Sequence, residues 1–226
     1  MTKVCVPIAA KRLSDAQTLL EKVEKSEADL AELWLGELQH EPRHEVMKLI
    51  SEAKIPLLVT CKGADEKGSF LGSEKEKVDI LLEAISAGAR FVDITADTST
   101  QEYERLRQGK QQAEIILSRH YWKGTPGLPH LTQEVEKMQQ RQPDLLKFAA
   151  TPRNFRDVVT LVRLAEKCSS KHIRHILISM GKLGKITRIA SPILENEIMF
   201  APLLPEECTA PGQISVKDLL KVFKML

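Results

Sequence analysis

The chain has little that would commit it to a large charged or aromatic partner. Lys and Arg number 33 against 31 Asp and Glu, a formal charge of +2 in 226 residues, so no general field draws it to phosphate backbones or anionic lipid. Aromatic residues make up only 4%, too few for rows of stacking platforms, though enough for a small-molecule pocket. The four cysteines, Cys5, Cys61, Cys168 and Cys208, include no C-x-x-C pair, and a chain this long can build a core without disulfides. Reduced thiols and a cytoplasmic location are the expectation. No stretch approaches about 18 consecutive apolar residues, and the amino terminus has neither the h-region nor the cleavage site of a signal peptide. These absences leave a small-molecule site, without nucleic acid or membrane as partner.

What is present is a rhythm. Short Val-, Ile- and Leu-rich runs recur: KVCVPIA, LAELWLG, IPLLVTCK, ARFVDITA, AEIILSRHY, DLLKFAA, RHILISMG and IMFAPLL. They are continuous rather than alternating, as parallel strands buried on both faces are. Between them lie helical patterns, for example SEKEKVDILLEAISAG and NFRDVVTLVRLAEKC. Ser14 with Gln17, Ser73 with Glu76, Ser99 with Glu102 and Ser215 with Asp218 have the spacing of helix caps. Strict alternation predicts an α/β fold, a (β/α)8 TIM barrel, as one domain over residues 1–226. A doubly wound sheet is the rival, but the first βα turn, AAKRLSD, lacks the glycines of a dinucleotide fingerprint. The stretch YWKGTPGLPHL reads as an extended loop after strand five.

Four features carry chemistry. His40-Glu41-Pro42-Arg43-His44 matches the H-E-x-x-H zinc pattern, yet Pro42 favours the first helical position and leaves His40 and Glu41 outside the helix, which argues against metal. Lys147, within Leu146-Lys147-Phe148-Ala149, sits where a strand should be; desolvation there favours a neutral amine, the nucleophile for an imine. A lysine whose stem snorkels past the strand end to water is the other reading. His120 falls at the carboxyl end of the preceding strand, the catalytic rim of a barrel, as a proton carrier or as a capped rim histidine. Gly181-Lys182-Leu183-Gly184-Lys185 reads as an anion-binding turn opening a helix, with Arg188 in the first turn as a carboxylate clamp, or as a solvated basic helix start.

Together and in this order these residues resemble the type I 3-dehydroquinate dehydratases over essentially the whole chain. Thr209-Ala210-Pro211-Gly212-Gln213-Ile214 with Asp218-Leu219 is similar to the family's S-A-P-G-Q-I…D-L ending. Ser179-Met180 through Thr187-Arg188 is similar to its S-M-x-x-x-G-x-x-S-R segment, and Leu146-Lys147-Phe148-Ala149 with Pro152 to its Schiff-base strand. Ser118-Arg119-His120 with Thr125-Pro126, Thr60-Cys61-Lys62 with Glu66 and Gly68, and Val92-Asp93-Ile94 match further strand ends.

The resemblance implies dehydration of 3-dehydroquinate to 3-dehydroshikimate in the shikimate pathway, without metal or cofactor. It implies Lys147 and His120 as catalytic residues, and Glu32, Lys62, Glu66, Asp93, Met180, Arg188, Phe200, Thr209 and Gln213 as substrate-binding residues. It also implies a homodimer, and some relatives carry a fused shikimate dehydrogenase domain. The departures fall among the hydroxyl-binding positions: Trp34 stands where an arginine is customary, Gly36 where an acid is, and Lys62 in place of an arginine. Another imine-forming, aldolase-like barrel, or a weakly active or non-catalytic relative, is the alternative.

Overall fold

The computed structural model describes residues 2–226, in which β-strands and α-helices alternate, with short 3-10 helices at Ala64–Glu66 and Pro205–Glu207. The strands are β1 (Lys3–Ile8), β2 (Leu30–Trp34), β3 (Leu57–Thr60), β4 (Phe91–Thr95), β5 (Glu114–Tyr121), β6 (Leu145–Ala150), β7 (His175–Ser179) and β8 (Ile198–Phe200). The helices are α1 (Leu13–Glu24), α2 (Arg43–Glu52), α3 (Glu74–Ser86), α4 (Thr100–Gly109), α5 (Leu128–Gln139), α6 (Phe155–Ser170), α7 (Gly181–Ile189) and α8 (Val216–Phe223). The strand order is β7-β6-β5-β4-β3-β2-β1-β8, so sequence neighbours are sheet neighbours, as βαβ units require. No helix among the described residues is long and apolar enough to cross a membrane.

Contacts group the chain into two compact units, Val6–Ile116 and the first five residues with Leu117–Leu226. In the first unit, β2 pairs with β3 and β3 with β4, both parallel. All of β3 is buried, which is why its sequence is an unbroken apolar run. Helix α3 starts at a full capping box: Ser73 Oγ accepts from the Glu76 amide, and Glu76 reaches back to the Ser73 amide. Its buried residues Val78, Leu81, Ala84 and Ile85 return every three or four positions.

In the second unit, β6 pairs with β7 and β1 with β8, again parallel. Every residue of β6 is buried. Helix α6 buries Val158, Leu161, Leu164, Ala165 and Cys168 on one stripe, and Asn154 caps it by accepting from the amides of Arg156 and Asp157. That cap was not among those expected.

Three expectations need correction. Ser14 is not a cap: α1 begins at Leu13, so Ser14 lies inside the first turn and Arg12 takes the cap position with no side-chain bond. The extended loop after β5 is shorter than its glycines and prolines indicated, because Pro129 sits in the first turn of α5, where its missing amide costs nothing. Gly181–Lys185 is not a turn but the body of α7, which places Arg188 in the last turn rather than the first. The glycine there answers to packing: a Cβ on Gly184 would lie 2.1 Å from the Ser179 carbonyl oxygen. Helix and strand approach too closely for a side chain.

Candidate active site

Within the second unit, Lys147 occupies the third position of β6, in register with Ile176 of β7, and is only 5% exposed. Its Nζ stands 4.1 Å from the ring centroid of Phe200 at the end of β8, so the ring's negative face stabilises positive charge on that nitrogen. Tyr121 and Phe148 stack nearly parallel, with centroids 6.4 Å apart, and therefore share one face of neighbouring strands β5 and β6. Side chains alternate along a strand, so His120 and Lys147 project together from the opposite face. The His120 ring stacks on Trp122, centroids 5.1 Å apart and planes at 9°. Trp122, in the turn that follows the last residue of β5, was not foreseen.

Arg188 is 1% exposed and is the largest fully buried side chain. Its Nη1 donates to the Phe200 carbonyl oxygen at 3.3 Å and lies 3.6 Å from Met199 Sδ, while Nε has no hydrogen-bond partner. Among the described residues its guanidinium pairs with no carboxylate. Burial pulls its pKa down from the ordinary guanidinium value to about 10, so it is still a cation at neutral pH. A buried cation with an unused donor, and with no carboxylate partner among the described residues, has the chemistry to accept an anion.

Met180 caps α7, and its amide donates to the Ala150 carbonyl, joining the ends of β6 and β7. The last loop leans on the same helix start: the Gly181 amide donates to the Pro211 carbonyl at 2.9 Å. Gly212 has φ of +82°, and a Cβ there would lie 2.3 Å from the Gly181 oxygen, which is why glycine follows Pro211. Gln213 Oε1 accepts from the amides of Thr209 and Ala210, and its Nε2 donates to Thr209 Oγ1 at 3.3 Å. Gln213 and Thr209 thus form one loop.

Within the first unit a second polar group collects at the carboxyl ends of β2, β3 and β4. Lys62 Nζ lies 3.2 Å from Glu66 Oε1 and 3.4 Å from Asp93 Oδ1, and Lys77 lies 3.8 Å from Glu66 Oε2. Burial alone would lower the Lys62 pKa, but Asp93, then Glu66 and Glu32, outweigh it and hold the ammonium above its ordinary value. The turn that carries Glu66 folds back on Lys62, and a Cβ on Gly68 would lie 2.1 Å from the Lys62 oxygen. A Cβ on Gly36 would lie 3.0 Å from that same oxygen and from Phe70 Cβ, which explains the missing acid at this position by crowding. Trp34 Nε1 donates to Glu32 Oε2 at 2.8 Å.

His40 and His44 are exposed, and α2 begins after Pro42. No group of three His, Cys, Asp or Glu among the described residues is placed to hold a metal ion.

A buried strand lysine, a histidine facing the same way from the next strand and a strict βα alternation define an imine-forming lyase on a (β/α)8 barrel. The family described as Type I 3-dehydroquinase matches residues 4–226, and the chain belongs to it. It is 31% identical over 215 residues to 3-dehydroquinate dehydratase of Methanothermobacter thermautotrophicus, covering 95% of this chain and 93% of that one. Its fold matches the crystal structure of 3-dehydroquinate dehydratase from Geobacillus kaustophilus, with a TM-score of 0.93, 24% identity and coverage of 100% and 91%. It likewise matches a type I 3-dehydroquinate dehydratase from Clostridium difficile, with a TM-score of 0.91, 25% identity and coverage of 99% and 92%.

Proposed function

We propose that this protein converts 3-dehydroquinate to 3-dehydroshikimate and water through a covalent imine on Lys147. The observation that carries the reading is the pairing of a buried amine on β6 with an imidazole that leaves β5 on the same face. The Lys147 amine adds to the C3 ketone and one water leaves, giving a protonated imine. That cation draws electrons from C2, so His120 can remove the C2 proton and leave an enamine. The enamine expels the C1 hydroxyl, which takes the proton back from the imidazolium and departs as water. A further water then hydrolyses the imine, releasing the product and the free amine.

Phe200, whose ring faces Lys147 Nζ, supports the nitrogen while it is cationic. Arg188 takes the substrate carboxylate, the counter-ion its guanidinium lacks. Met180 lines the site beside α7, and the Thr209–Gln213 loop closes over the carboxylate.

Borohydride added with 3-dehydroquinate is expected to fix a reduced adduct on Lys147, and enone absorbance should report turnover. Lys147→Ala should abolish both. An adduct on another lysine, or full turnover in Lys147→Ala, would refute the reading.

A further inference from the structure

Within the second unit, the imidazole of His120 lies flat against the indole of Trp122, centroids 5.1 Å apart and planes 9° from parallel. His120 makes other contacts besides, but this one is a stack, and a stack uses neither ring nitrogen. Trp122 follows the last residue of β5, in a loop that is pinned before and after it. The Thr151 amide donates to the Tyr121 carbonyl at 2.9 Å. Thr125 Oγ1 donates to the Thr151 carbonyl at 3.3 Å, and Arg153 Nη2 donates to the Thr125 carbonyl at 3.3 Å. Arg153 is itself held by Asp157 of α6, whose Oδ2 accepts from its amide at 2.8 Å and from its Nε at 3.1 Å. The segment between β6 and α6 therefore braces the loop on both sides of Trp122, and the indole has a fixed seat.

We infer that Trp122 is a positioning residue for the dehydration: its indole sets the plane of the His120 ring, so that one ring nitrogen meets the C2 proton of the Lys147 imine. This rests on the reading of Lys147 as the imine-forming amine and His120 as the base. A base that attacks a C–H bond must point a lone pair along that bond, and a ring that turns freely does so only part of the time. A hydrogen bond can hold the ring, but it engages a nitrogen that proton transfer needs. The flat face holds it and leaves both nitrogens to the reaction. The contact also survives the transfer, because an aromatic face attracts a neutral ring by offset stacking and a cationic ring through its quadrupole. As the proton leaves C2, the C–H electron pair becomes the C2–C3 double bond of the enamine and the imine electrons withdraw onto nitrogen. The imidazolium stays over the indole until it returns that proton to the departing hydroxyl.

The test compares Trp122→Phe with Trp122 replaced by cyclohexylalanine, two side chains of nearly equal size of which only the first has a flat face. The Phe variant should keep kcat within about threefold of the wild type. Cyclohexylalanine should lower kcat about ten- to a hundredfold, the effect of a misaligned base, without raising KM. Borohydride added during turnover should then trap more of Lys147 as the substrate imine than it does in the Phe variant; the substrate and product adducts differ in mass by one water. Loss of packing alone would affect both variants alike and would not shift that ratio. Equal kcat in the two variants, or a lower kcat with no shift toward the substrate imine, would overturn the inference. Absence of any Lys147 adduct in the unmodified protein would instead overturn the dehydratase reading, and the two failures are therefore distinct.

Discussion

Replacing Arg188 with Met should make the folded protein more stable and the enzyme much worse. Burial has moved the guanidinium down from its ordinary value to about 10, a destabilisation of about 3 kcal/mol at about 1.4 kcal/mol per pH unit. The sign follows from the direction: a base with a lowered folded pKa opposes folding while it is protonated in both states. That opposition is therefore present at all pH values below about 10 and is relieved only as pH rises above it toward the ordinary guanidinium value. Met fills a similar volume without charge. It forfeits the bond to the Phe200 oxygen, about 1 kcal/mol, and leaves a net gain of about 1–2 kcal/mol, in keeping with apolar replacements of buried charges.

For a chain of this size that gain is an upward Tm shift of about 2–8 °C. Binding moves the other way. Two charge-assisted bonds to a carboxylate, each about 1.5–3 kcal/mol, are lost from the transition state, so kcat/KM should fall about 10²- to 10⁴-fold. Calorimetry and the enone assay read the two effects separately. A variant that loses several degrees of Tm while keeping its kcat/KM would show that Arg188 ties the barrel wall together rather than awaiting an anion.

Three further outcomes follow from the geometry. Ser73→Ala should lower stability by about 1 kcal/mol in a thermal melt through loss of its capping box, whereas Ser14→Ala should change it by less than about 0.5 kcal/mol; equal effects would contradict the observed start of α1. Burial raises the Cys61 thiol from 9.0 to about 12, against the pull of Lys77 and Arg43, and the Cys168 thiol to about 11. Both stay neutral in the native state while the unfolded thiols ionise above 9.0. Each therefore contributes stability that is complete below that pH and is lost as pH rises through the folded value, by up to about 1.4 kcal/mol per pH unit. Denaturant titrations from pH 8 to 11 should flatten in Cys61→Ala, and an unchanged slope would refute this. Gly212→Ala forces a Cβ against the Gly181 oxygen at a positive φ, so kcat/KM should drop at least about tenfold with little change in Tm; wild-type kinetics would mean the last loop has no part in the site.

The strands were legible because each is buried on both faces and must be written as an unbroken apolar run; β3 and β6, buried throughout, are the clearest cases. Ser73 was legible because both halves of a capping box appear in the letters. Ser14 carried the same spacing by coincidence, one residue inside a helix whose start Leu13 had already set. The glycines of α7 misled for a physical reason: glycine marks a turn when its backbone needs freedom, but Gly184 is there because a strand carbonyl is too close. In the candidate site, Lys147 could be picked out as a lysine inside an apolar strand run, and His120 as a histidine near the carboxyl end of a strand. The Trp122 stack on His120 and the Trp34 grip on Glu32 could not, since each depends on side-chain torsions that no spacing encodes.

Helix α7 acts as a ruler. Met180 fixes its beginning, Gly184 presses it against β7, and Arg188 stands near its far end. One residue inserted between them would swing the guanidinium by about 100° around the axis and advance it by about 1.5 Å. Evolution is free to rewrite the exposed letters of this segment, such as Lys182 and Lys185, but its length is not negotiable.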